Sequence, residues 1–267
     1  MKILILFNYD LASNYALNLL LPELQQHQLK LCFSTNVGNA SEKPVELEYL
    51  TFVEQQLLKN LIFPYSDNLD KGGKQLYSFE SLSSQFNAEL KSFNYINDAQ
   101  GIKELQEFKP ELILSVRFGK ILKQSVIDIP SLGVLNLHSG ILPQYQGVMA
   151  TFWAMKNQAS EYGSTLHWID SEAIDAGPVI TLNRLLLDRK KSYLENVLAL
   201  YPSGCFSMVE AVNLLASGKE IESIALQGSS NYYSFPQKSD LDDFHSRGLQ
   251  LVNPVWASDF YRQYLTG

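Results

Sequence analysis

The chain is poor in the residues on which several chemistries depend. It holds two cysteines, Cys32 and Cys205, and four histidines, His27, His138, His167 and His245. Two distant cysteines make neither a disulfide framework nor a zinc pattern, and the histidines lack ligand spacing. A reducing compartment and no metal are therefore expected. Apolar runs are short: residues 3–7 stop at Asn8, and residues 17–21 stop at Pro22. Neither reaches the roughly 20 residues that span a bilayer, and the first is too short for a secretory segment. The expectation is a soluble, cytoplasmic chain with no membrane partner. Positive charge is in deficit too, with 21 Lys and Arg against 28 Asp and Glu, a net −7. Such a chain repels phosphate backbones, which argues against a nucleic-acid partner. The first apolar run is followed by Asn8-Tyr9-Asp10-Leu11-Ala12-Ser13-Asn14, without a glycine. Neither common phosphate loop is present, which counts against a nicotinamide dinucleotide.

What the chain does have is core material. Of 267 residues 46% are hydrophobic, among them 14 Tyr, 14 Phe and 3 Trp, so wholesale disorder is excluded. Residues 3–7, 29–33, 112–116 and 134–137 read as buried strands, and 12–21, 49–58 and 102–108 as helices. That alternation argues for an α/β fold, a mostly parallel sheet with helices on both faces and ligands at the carboxyl ends of its strands. Beyond Ile180 the pattern changes. Ser192-Tyr193-Leu194-Glu195 has capping-box spacing, Pro202-Ser203-Gly204 interrupts or restarts the helix that follows, and Gly218 ends it. Residues 1–220 are expected to form the catalytic domain and 221–267 a small aromatic-rich extension packed on it, with a helix opening at Ser239. The aromatics of the extension, including Tyr232, Tyr233, Phe235, Phe244 and Tyr264, read as packing. A ligand contact or a homodimer surface is the alternative.

The chemistry concentrates between residues 110 and 180. Period-two alternation puts Asn136 and His138 on one face where a strand gives way to a loop. Asp175 lies in a polar turn between two further strand-like runs, 165–169 and 179–182. An amide N–H and an imidazolium can both donate to a carbonyl oxygen that gains charge as an amine attacks it, and a carboxylate can set the imidazole's charge and move the amine's proton. The competing reading is that all three merely satisfy loop backbone. Likewise, Asn8, Asp10, Ser13 and Asn14 are acceptor contacts or helix caps. His167 is a partner of the site or a plain strand residue, and Lys120 and Lys123 are solvated rim residues or contacts for an anionic tail.

Longer motifs decide between these readings. Asn136-Leu137-His138-Ser139-Gly140-Ile141-Leu142-Pro143-Gln144-Tyr145-Gln146-Gly147 resembles the signature of the 10-formyltetrahydrofolate-dependent formyltransferases. Ile174-Asp175-Ala176-Gly177-Pro178-Val179-Ile180 is similar to the family's second signature, and Gly163-Ser164-Thr165-Leu166-His167 lies between them as it does there. The run from Pro110 to Leu122 resembles the strand and loop that line the family's folate pocket. The resemblance is strong over 110–180, weaker over the first strand and helix, and faint beyond about residue 220.

This resemblance implies a Rossmann-like formyltransferase domain that takes 10-formyltetrahydrofolate as co-substrate and uses no metal. The catalytic residues carried over are Asn136, His138 and Asp175. The folate contacts are Arg117, Phe118, Gly119, Lys120, Ile121, Leu122, Asp170 and Ile174. Three departures stand out: Gly140 where Ser is commoner, Gln146 where Arg is frequent, and a turn before Asp175 one residue longer. The implied acceptor is a small-molecule amine, foremost a nucleotide-linked amino sugar. The alternatives are a hydroxyornithine-type siderophore amine, methionyl-tRNA, and a folate-binding module without catalysis. The residues after 220 look too few and too acidic for an RNA-binding domain, and no regulatory domain is expected before Ile3. The missing Gly-rich loop counts against a glycinamide ribonucleotide.

Overall fold

The computed structural model describes residues 1–35, 44–69 and 75–265. Among the described residues, nine strands run in chain order: β1 (Lys2–Asn8), β2 (Gln28–Ser34), β3 (Glu89–Ser92), β4 (Leu112–Val116), β5 (Val134–His138), β6 (Gln146–Gly147), β7 (Glu161–Trp168), β8 (Val179–Leu186) and β9 (Tyr232–Tyr233). Seven form one sheet in the order β3-β2-β1-β4-β5-β7-β8. Strands β1 to β5 pair in parallel, while β7 and β8 close the sheet antiparallel. Strands β6 and β9 form a separate parallel ribbon.

Both faces of this sheet are covered, which is why its parallel strands are continuously apolar rather than alternating. Ile3, Ile5 and Phe7 join Leu112, Leu114, Val116, Leu135 and Leu137 in the larger core. Leu4, Leu6, Ile113 and Val134 point the other way into a smaller core. Continuing that second alternation carries Asn8, Ser115, Asn136 and His138 onto one face at the strand tips. Strand order reverses beside β1, where the chain has stepped out to β2 and β3 and returns to β4, so a crevice opens above those tips.

The helices that matter for this crevice start where the sequence says they should. Asp10 caps the helix Leu11–Leu24, its carboxylate accepting from the Ser13 N–H at 2.8 Å. Ser192 and Glu195 form the expected capping box on Tyr193–Ala199, and a second helix, Tyr201–Ala216, restarts around Pro202. Together these two are long and apolar enough to cross a membrane, yet 56% of that window is buried inside the molecule against the sheet and the first helix.

Two segments differ in detail from expectation. The segment read as a helix over 49–58 is helical throughout, but α only at Glu46–Thr51. From Phe52 to Ile62 it is π-helical, and Phe63 N–H bonds to the Leu58 carbonyl five residues back. Val53 and Leu58, five apart, are both buried, a spacing that the wider π turn puts on one side. The helix predicted to open at Ser239 opens at Lys238, capped by Gln237 reciprocally with Asp240.

The C-terminal aromatics pack. Phe244 stacks on Phe152 with centroids 4.6 Å apart, the Tyr264 hydroxyl donates to Asn14 at 2.6 Å, and the Tyr261 hydroxyl donates to the Val53 carbonyl. All three rings belong to the same core as β1 and β4. Replacing fully buried Phe244 by Ala should therefore cost about 3–5 kcal/mol and lower a single denaturation transition for the whole chain. Two separate transitions would instead mark the extension as an independent unit.

Candidate active site

A cavity of about 310 Å³ lies over the tips of β1, β4 and β5. Its two ends differ. Toward the smaller core it is walled by Phe118, Ile121, Leu122, Ile169 and Ile174, with the backbone of 171–175 along one side. Toward the larger core it is walled by Asp10, Leu50, Glu54, Gln55, Tyr193, Tyr232 and Phe235, with Asn8 between the two ends. Asn136, His138, His167 and Asp175 lie on its wall as well.

These four side chains make one cluster. His138, on the last residue of β5, places Nδ1 3.4 Å from Asp175 Oδ2. Its Nε2–H donates to the Tyr145 carbonyl at 2.7 Å. His167 stands across from Asn136 in the β5–β7 pairing and so shares its face. The His167 Nδ1–H donates to the Trp168 carbonyl at 2.8 Å, which leaves Nε2 to accept from Asn136 Nδ2 at 3.0 Å. Asn136 Nδ2 is also 3.5 Å from Asp175 Oδ1, and the Gly147 N–H donates to Asp175 Oδ2 at 2.9 Å. Burial pushes the Asp175 carboxyl up. The charge of His138 first, then the neighbouring His167 side chain and the Gly147 amide, outweigh burial and hold it at about 2. An ionised carboxylate beside an imidazole at the foot of a cleft is an arrangement suited to proton transfer.

The backbone is bent to achieve this. Asp175 and Arg117 both adopt left-handed conformations, with φ of 50° and 59°, at a cost of order 1 kcal/mol each. For Arg117 the bend turns its side chain inward. Its Nε donates to Asp10 Oδ2 at 3.0 Å, and Glu54 Oε1 lies 3.8 Å from its other nitrogen. Burial alone would lower its pKa, but Asp10 and then Glu54 keep the guanidinium charged. Asn8 Nδ2 donates to the same Asp10 oxygen at 2.9 Å.

The expected triad of Asn136, His138 and Asp175 is thus brought together, and His167 is a fourth member rather than a plain strand residue. Of the residues expected to meet folate, Arg117, Phe118, Gly119, Lys120, Ile121, Leu122 and Ile174 line the cavity. Asp170 does not: it is exposed, accepting only from the Ser171 hydroxyl, because the turn carries its side chain outward. Asn8 and Asp10 line the cavity, and Asp10 is a helix cap as well. Ser13, Asn14 and Lys123 stay outside the lining. The departures have local reasons. A Cβ at Gly140 would sit 2.7 Å from His138 Nε2 and 2.8 Å from the Tyr145 oxygen, so a larger residue there is incompatible with the bond between them. Gln146 Nε2 donates to the Asp175 carbonyl at 3.0 Å. Glu54, Gln55 and Tyr193 were not foreseen as lining residues, and Tyr232 and Phe235, read as packing with ligand contact as the alternative, line the cavity. They come from segments far apart in sequence, and no local motif marks them.

Fold and cluster together define an α/β protein with a buried titratable cluster at the switch point of its sheet. The family follows from comparison: the Formyl transferase family model matches residues 61–196, just over half of the chain, and the chain belongs to that family. It is similar to methionyl-tRNA formyltransferase of Kosmotoga olearia, 39% identical over 90 residues, covering 34% of this chain and 29% of the relative. It is also similar to that of Syntrophomonas wolfei, 26% identical over 155 residues, covering 58% and 49%. The matched stretch thus spans half or less of these relatives. In fold it resembles a sugar N-formyltransferase from a Shewanella species (TM-score 0.57, 15% identity, 87% of this chain and 76% of that one). A glycinamide ribonucleotide transformylase of Symbiobacterium toebii is also similar (0.60, 14%, 85% and 94%), as is an N-formyltransferase of Helicobacter canadensis crystallised with folinic acid and dTDP-3-aminofucose (0.57, 17%, 90% and 71%).

Asp175 also links the site to stability. A carboxyl held near 2 against an ordinary 3.8 contributes stability that is fully present above pH 4 and lost as pH falls through about 2. The Asp175→Asn variant lacks this contribution. The stability gap between wild type and variant should therefore narrow by roughly 2 kcal/mol between pH 5 and pH 2 in denaturant titrations. A gap independent of pH would contradict the depressed carboxyl.

Proposed function

We propose that the protein is a cytoplasmic N-formyltransferase that moves the formyl group of 10-formyltetrahydrofolate to the amine of a small molecule, foremost a nucleotide-linked amino sugar. The observation that carries this reading is the meeting of Asn136, His138 and Asp175 between two chemically unlike ends of one cavity. The apolar end, with Ile121 and Ile174 exposed at its rim, suits a flat pterin whose polar edge pairs with the backbone of the 171–175 turn. The other end offers carboxylates and amides for hydroxyl groups and aromatic rings for the apolar face of a sugar. Two carboxylates, Asp10 and Glu54, surround the one guanidinium there, so no net positive charge greets a phosphate close to the reacting amine. That weighs against a glycinamide ribonucleotide. The nucleotide of an amino sugar would lie farther from the amine, outside this end.

In the reaction the acceptor nitrogen attacks the formyl carbon, and charge grows on the formyl oxygen. An N–H of Asn136 and an N–H of His138 leave His167 and the Tyr145 carbonyl to meet it, since catalytic hydrogen bonds form fully only in the complex. The proton shed by the attacking amine passes to Asp175, directly or through water. The carbon–N10 bond then breaks, N10 takes a proton from His138, and the proton held by Asp175 returns to the His138 imidazole. The products are the formamide and tetrahydrofolate, and no side chain forms a covalent bond. A mere folate-binding module would have no use for oxyanion donors or for an ionised carboxylate beside them.

A second acceptor, methionyl-tRNA, is favoured by one observation, the activity named in the sequence relatives. An acceptor panel of nucleotide-linked amino sugars, ornithine derivatives and charged initiator tRNA separates the readings by tetrahydrofolate release. With the best acceptor, His138→Ala should lower turnover at least ~100-fold. An unchanged rate would sink the mechanism, and release with no acceptor present would identify a hydrolase.

A further inference from the structure

The C-terminal extension touches the catalytic cluster through one short segment. Residues 145–147 make three bonds to it: the Tyr145 carbonyl accepts from His138, the Gly147 N–H donates to the Asp175 carboxylate, and the Gln146 side chain donates to the Asp175 carbonyl. That segment is not held by the sheet. Its backbone is held by β9 and the residue before it: the Gln146 N–H donates to the Asn231 carbonyl at 3.0 Å, and the Val148 N–H to the Tyr233 carbonyl at 2.9 Å. The Tyr233 ring closes the arrangement. It stacks on Tyr145 at 5.7 Å and on Trp153 at 4.8 Å, and its hydroxyl accepts from Asn157 at 3.2 Å. Trp153 in turn donates from Nε1 to the Ser234 carbonyl at 3.2 Å.

We propose that Tyr233 is a positioning residue: wedged between Tyr145 and Trp153, it fixes the 145–147 segment and through it the imidazole of His138 and the carboxylate of Asp175. The site is incomplete without this strap from outside the sheet. Gly147 shows how close the fit is. Its φ is +93°, and a Cβ there would collide with the Tyr233 carbonyl. The flanking Tyr232 and Phe235 line the cavity, so the strap that sets the catalytic pair also forms part of the acceptor's wall. The kinetic part of this proposal rests on the formyl-transfer reading above, and the structural part does not.

The test compares Tyr233→Ala, Tyr233→Phe and Gly147→Ala, each checked for an unchanged far-ultraviolet spectrum and a cooperative melt. A misplacement near 1 Å should lower kcat for Tyr233→Ala about 10- to 100-fold while the KM for 10-formyltetrahydrofolate stays within about threefold. Tyr233→Phe, which keeps the stack, should return to wild-type kcat. Gly147→Ala, which pushes the strap away from the other side, should resemble Tyr233→Ala. The imidazole nitrogen resonances of His138, identified by their loss in His138→Gln, should move in Tyr233→Ala and return in Tyr233→Phe, with His27 and His245 unmoved. A folded Tyr233→Ala with wild-type kcat and an unmoved His138 overturns the proposal, as does a Phe variant as impaired as Ala. If the wild type itself transfers no formyl group to any acceptor, the functional reading falls and the His138 resonances alone decide this one.

Discussion

A carboxylate nearly withdrawn from water stays ionised only if its partners stabilise it more than burial destabilises it, and the site is organised around meeting that condition for Asp175. The partners come from separate places: an imidazole at the end of β5, a second imidazole on β7, and a backbone N–H from the β6 ribbon. Its own turn supplies the left-handed conformation that aims it. No short peptide holds these groups together. The sheet aligns the two imidazoles by cross-strand register, and the ribbon is aligned by the chain's C-terminal part. Formation of the carboxylate's environment and completion of the fold are therefore one event.

The same sheet explains why the two ends of the cavity are dissimilar. Odd-numbered residues of β1 and even-numbered ones of β4 feed the larger core, while their neighbours feed the smaller one. The crevice over the strand tips consequently opens toward two environments, one lined by aliphatic side chains and the other by buried charge. Arg117 marks the junction. Its bent backbone takes the chain from β4 toward the apolar end while its guanidinium turns back to Asp10 and Glu54. Three buried charges that compensate one another are sensitive to losing any member.

Much of this was legible in the residues. Strands β1, β2, β4 and β5 were marked by apolar runs bounded by polar residues. The alternation within β5 was enough to put Asn136 and His138 on one face. The motif around Asp175 located the third group without any geometry. What the sequence could not carry was whatever depends on distant segments meeting. His167 has no local signature, and its role comes from register with Asn136. Glu54 reaches the cavity from a π-helical segment distant in sequence from the motifs, and the ring of Tyr233 reaches the site because β9 lies beside β6. Asp170, polar and in the right turn, was an attractive candidate that backbone direction alone sends outward.

The π-helical stretch from Phe52 to Ile62 has an evolutionary consequence. A π turn holds one more residue than an α turn, as the Phe63-to-Leu58 bond records. Deleting one residue lets one such turn return to α bonding, because the wider turn itself holds the extra residue and the flanking residues keep their phase. Glu54 and Gln55 lie near the start of this stretch, on the wall opposite Ile121 and Ile174. That wall therefore tolerates a one-residue change in chain length, with β5 and the Asp175 turn untouched.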